Sequence, residues 1–99
     1  HEATEIEPLL KRLCELASAE GGIGAIVRVQ GYDTAEHGQS DPETMVLAMP
    51  IQGEARGELT VYAAPEKLRG ALQAYATVVA DAVTRLELQA ELAQLKGET

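Results

Sequence analysis

The residue with the widest chemical range in this chain is His37, because an imidazole titrates near neutrality and ligates metals. It stands beside Glu36 and a few positions from Asp33 and Asp41, a set that would suit a divalent cation or a general base. A polar stretch of a strongly acidic chain throws up such groupings by chance, and the only other histidine is His1. No metal, cofactor or catalytic residue is therefore assigned. Cys14 is the only thiol, which excludes an internal disulfide and a thiolate cage for zinc and fits a reducing compartment. Its position between Leu13 and Leu16 suits a small residue at the edge of an apolar helix face more than a redox sensor. Gly21-Gly22-Ile23-Gly24 has the glycine density of a phosphate loop, yet it leads into a strand and not into a helix N-terminus. Ser18 and Ser40 have no histidine at triad spacing. Nothing here reads as an enzyme.

The elements that must position these residues follow from periodicity. Ile6, Leu9, Leu10, Leu13, Leu16 and Ala17 recur at three-and-four spacing over 4–19, which predicts a first helix, with Thr4 and Glu7 as a capping box and Pro8 tolerated early. Gly21-Gly22 ends it. Residues 23–30 are rich in β-branched types and predict a central strand. Residues 31–42 predict a loop, or a ragged edge strand around Thr34 to His37. From Thr44 to Gln52 the apolar residues Met45, Leu47, Met49 and Ile51 alternate, with Pro50 required to face away from a partner or sit at a bulge. Residues 53–57 are expected to form a polar turn into a strand over 58–63, completing an antiparallel hairpin. Pro65 opens a second helix striped by Leu68, Leu72, Tyr75, Ala76, Val79, Val83 and Leu86.

The chain has 99 residues, 45% of them apolar, enough for one thin core and too few for two. With no Trp or Phe and three Tyr, that core must be aliphatic. The predicted class is α+β: a small antiparallel sheet of three to five strands, with an N-terminal and a long C-terminal helix packed together. A net charge of −8 repels nucleic acid and anionic membranes, no run approaches the length of a membrane span, and a cytoplasmic protein is expected.

A helix over 65–96 would reach ~48 Å, against a diameter of about 33 Å for a domain of this size. Its last turns should therefore project, and they still carry Leu88, Leu92 and Leu95. An apolar line with nothing in its own chain to cover it predicts pairing with another copy or a following domain. Glu87, Gln89, Glu91 and Gln94 then read as a solvated flank. The division expected is a domain over 1–86 and a projecting coiled-coil connector over 87–99. The dimer-forming and coupling residues expected are Leu72, Val79, Leu86, Leu88, Leu92 and Leu95. The alternative fate of the tail is to fold back on the first helix.

The order helix, strand, loop, hairpin, long helix, with 49–62 (Met-Pro-Ile-Gln-Gly-Glu-Ala-Arg-Gly-Glu-Leu-Thr-Val-Tyr) at its centre, resembles the second half of a GAF domain. The resemblance covers an apolar strand ending in Pro and a hydrophobe, a polar turn with Gly, a Gly opening the next strand, and a helix like 72–83. The first helix and 24–29 are similar to the family's opening. The middle section that roofs a ligand pocket in GAF domains is reduced here to 31–43. The cyclic-nucleotide signature cannot occur without Asn and Phe, and Cys14 lies away from the chromophore-attaching position. The resemblance thus implies a reduced GAF-like module of a bacterial signalling or regulatory protein. Such a module would be non-catalytic, would form a homodimer and would couple to an output domain. A second reading is a small-molecule sensor with a shallow site lined by Arg28, Tyr32, His37 and Tyr62. A third is a roadblock-like interaction domain, which would need a helix between its second and third strands, where 31–42 is a poor helix.

Overall fold

A computed structural model describes residues 2–97, with side chains described from Glu5 onward. Helix α1 (Glu2–Gly21) is followed by strands β1 (Gly24–Val29), β2 (Ala35–Gly38), β3 (Thr44–Ile51) and β4 (Glu54–Tyr62). A single 3-10 turn, Glu66–Leu68, then leads into helix α2 (Arg69–Gly97). The architecture is α+β, as the periodicities require. The four strands lie in the order β2-β1-β4-β3, every neighbouring pair antiparallel. Both helices cover one face of this sheet, α1 over β1 and β2 and α2 over β3, and they pack against each other.

The core lies between the helices and that face. Ile6, Leu10, Leu13, Cys14 and Ala17 enter from α1, and Leu72, Ala76, Ala80 and Val83 from α2. The sheet contributes Val27, Met45, Leu47, Met49, Ile51, Leu59 and Val61. The strict alternation of β3 between exposed and buried positions is what a sheet with one dry face demands. Its other face is open. There Glu36, Ile26, Thr60 and Val46 run in one row across the four strands, with Val46 exposed and Thr60 shielded between its neighbours.

Several local expectations are corrected. The helix already starts at Glu2, so Thr4 is an internal residue and not a cap, its side chain being outside the described part. The turn between β3 and β4 is Gln52-Gly53 alone, since Ile51 pairs with Glu54. Both turn residues have positive φ, 52° and 77°, the geometry of a two-residue type I′ hairpin. Residues 54–57 therefore belong to β4. Met49 pairs with Gly57 and Ile51 with Glu54, so Ala55 and Arg56 together oppose Pro50. This is the bulge that Pro50 foretold, and bulges re-aim side chains.

At the outer edge of the sheet, Gln73 of α2 donates through Nε2 to the carbonyl of Ala48 at 3.0 Å. At the opposite edge, β2 runs so close to β1 that Gly24 and Gly38 face each other. A Cβ on Gly24 would lie 2.2 Å from the Gln39 carbonyl oxygen, so the glycine is a steric requirement. At ~1.5 Å per residue, the 29 residues of α2 reach about 44 Å, against ~27 Å for the eight residues of β3. The long dimension of the molecule is 51 Å, with the others 21 and 17 Å. Every residue from Glu91 to Gly97 is exposed. No helix among the described residues is long and apolar enough to cross a membrane.

Candidate functional site

Among the described residues, a dense polar cluster lies where the β3–β4 turn meets α2. Glu87 sits four positions after Val83, on the face that α2 turns toward the sheet, and its side chain is 11% exposed. Its carboxylate accepts from Arg56 through two parallel bonds, Nη1 to Oε1 at 2.8 Å and Nη2 to Oε2 at 2.9 Å. Oε1 also accepts from Gln52 Nε2 at 2.8 Å, and the Tyr32 hydroxyl donates to Oε2. Arg56 Nη2 donates in addition to the Gln30 carbonyl at 3.1 Å. The backbone N–H of Gln52 donates to Thr84 Oγ1 at 3.0 Å, and its side chain to Glu91 Oε2 at 3.1 Å. The bulge opposite Pro50 and the tight turn at 52–53 bring Arg56 and Gln52 to the helix together.

This is a bidentate ion pair with both carboxylate oxygens doubly engaged, the strongest form such a contact takes. The Arg56 guanidinium, then the Tyr32 and Gln52 hydrogen bonds, hold the Glu87 carboxyl down at about 2 against the opposing effect of burial. Hydrogen bonding to Glu87 correspondingly raises Arg56. A depression of about 500 Å³ opens beside the pair, lined also by Ala90, Glu91 and Gln94. Arg56 is the cation on its wall, and Glu87 has already neutralised it. Chemically the arrangement is a strut that fastens α2 to the hairpin, its one arginine spent on Glu87.

Compared with known proteins, the chain matches no family model, no curated protein and no solved structure.

The four residues expected to line a shallow site do not converge. Tyr32 belongs to the Arg56–Glu87 cluster. Arg28 stands on the open face of the sheet, in register with Glu58 of β4, and Tyr62 on the same face in register with Gly24 and Thr44. His37 is exposed on the edge strand β2, and Asp33, Glu36 and Asp41 form no metal-holding group with it among the described residues. Cys14 is fully buried. Its thiol donates to the Ala35 carbonyl at 3.3 Å, and burial pushes its pKa up to about 11, so it is a core residue with little thiolate.

The six helix residues proposed for pairing divide. Leu72 is completely buried in its own subunit, and Val79 and Leu86 are half-buried against the same core, because they lie on the sheet-facing stripe. Leu88, Leu92 and Leu95 are exposed by 49%, 54% and 64%. The solvated flank also needs correction: Glu87 and Glu91 grip the hairpin turn, so the hold of the body on α2 extends past the expected boundary at residue 86. The last two residues of the expected connector, 98 and 99, lie outside the described residues. Sequence reasoning missed Arg56, Gln52 and Glu87. The available signal was a carboxylate four residues beyond Val83 in an apolar stripe, which requires a cation on the facing element.

Proposed function

We propose that this chain is a non-catalytic regulatory module of the reduced GAF-like kind, which associates with a second copy through α2 and passes that association to an output domain. The observation that carries this reading is the exposed row of Leu88, Leu92 and Leu95 on the outer face of α2, running from the level of the hairpin turn to the end of the helix. Such a line is costly to leave in water, and helix pairing is the economical way to bury it. The satisfied Arg56–Glu87 strut makes α2 and the hairpin move as one body, which is what a coupling element needs, since paired helices switch by small shifts and rotations. A sensor reading has less support, because its four lining residues stand apart. The roadblock-like reading has less as well, because 39–43 join β2 directly to β3.

Sedimentation equilibrium tests the proposal. The native chain should show concentration-dependent association, and the triple variant Leu88→Gln, Leu92→Gln, Leu95→Gln should sediment as a monomer with its circular dichroism unchanged. A native chain that stays monomeric at high micromolar concentration would refute it.

A further inference from the structure

The face of α2 turned away from the sheet carries a regular pattern of its own. Three of its residues, Leu88, Leu92 and Leu95, are the projecting leucines. Continuing backward in alternating steps of three and four gives Arg85 and Asp81, then Val78, Ala74 and Ala71. All eight are exposed, with Val78 at 66%. They form an unbroken heptad seam over the length of the helix, diametrically opposite the core stripe that contains Ala76 and Val83.

The seam is symmetric about residue 83. Reversing a second copy of α2 against the first sets Asp81 against Arg85 at the two central layers. The next layers outward set Val78 against Leu88, then Ala74 against Leu92, then Ala71 against Leu95. Each layer is complementary: opposite charges meet at the middle, and small residues receive large ones at both ends. A parallel pair would instead stack Asp81 on Asp81 and Arg85 on Arg85, leave gaps at the two alanine layers and crowd the leucines at one end. Like charges in register oppose assembly and complementary ones favour it.

We propose that two copies of this chain pair through α2 as an antiparallel, two-fold symmetric coiled coil crossing at residue 83, with Asp81 of each copy facing Arg85 of the other. The inference rests on the reading of α2 as the self-association element and adds its partner, direction and register. The projecting leucines of one copy then cover Ala71 and Ala74 of the other, and the two sheets lie on the outer sides. The contact is isologous, so it closes at two copies.

Two measurements test it. In the first, Val78→Cys and Leu88→Cys proteins are oxidised separately and as an equimolar mixture, the native chain with only its buried Cys14 serving as control. Disulfide-linked dimer should form in the mixture and not in either protein alone. Cross-linking of either variant with itself, or none in the mixture, overturns the antiparallel register while leaving self-association through α2 standing if the native chain still sediments as a dimer. A monomeric native chain overturns both. In the second, Asp81→Arg should weaken association by about tenfold or more, and Asp81→Arg with Arg85→Asp should restore it. Equal affinity for all three proteins overturns the charge pairing.

Discussion

At the scale of single residues, the informative group is Glu87. Its carboxyl is held near 2 in the folded protein against an ordinary 4.5, so the unfolded chain binds the proton more readily. Stability from this group is fully present above about pH 4.5 and drains away as pH falls toward 2. With the open side of the cluster screening part of it, the contribution is about 2 kcal/mol. Urea unfolding at pH 7 should find Glu87→Gln less stable by roughly that amount, and the gap to the native protein should close as pH approaches 2. Equal stabilities at pH 7 would show the strut to be inert. Cys14 makes an opposite prediction. A thiol with its pKa near 11 and no exposed surface should react with a disulfide reagent at pH 8 only after denaturant is added; rapid labelling of the native protein would contradict its core role. Neither chemistry was legible in the sequence. Cys14 looked like an edge residue because the partner that closes over it, Ala35, is 21 positions away, and Arg56 and Glu87 are separated by 31.

At the scale of elements, the hairpin turn is the sharpest test. Gly53 holds φ at +77° with open space around it, so Gly53→Ala should cost about 1 kcal/mol from backbone strain alone. Gly53→Val should cost more. Thermal unfolding would read both, and an unchanged midpoint would mean that the turn relaxes. By contrast, Leu13→Ala, which empties a fully buried site, should cost about 2–5 kcal/mol. The elements themselves were largely visible beforehand. Met45, Leu47, Met49 and Ile51 announce a strand with one dry face, the edge strand at 35–38 overlaps the span around Thr34 to His37, one of two readings of that stretch, and Pro50 sits opposite a bulge. What local patterning could not give was the turn. Residues 53–57 look like one polar loop because the stretch is polar with a glycine at each end, and the bulge that lets 54–57 continue the strand depends on pairing with β3.

At the scale of the whole molecule, the helix outruns the sheet, and its two long faces have different fates. One is consumed by the core and the other stays in solvent in the single chain. Because association stabilises whatever it binds, the midpoint of thermal unfolding should rise with protein concentration. That rise should vanish in the Leu88→Gln, Leu92→Gln, Leu95→Gln variant. Periodicity found the first face readily. The dimer residues proposed from sequence mixed the two faces, since Leu72 lies on the inner stripe and Leu88 on the outer one, and only burial separates them.

The outer rim of β3 has a consequence of a different kind. A bare strand margin is a template for runaway stacking into fibrils. Here Gln73 occupies the Ala48 carbonyl, and two residues on, Pro50 has no hydrogen to offer an incoming chain. The margin is thereby made a poor recruiter. Replacing Pro50 with alanine should leave the native protein folded while shortening the lag before thioflavin-positive aggregates form on heating.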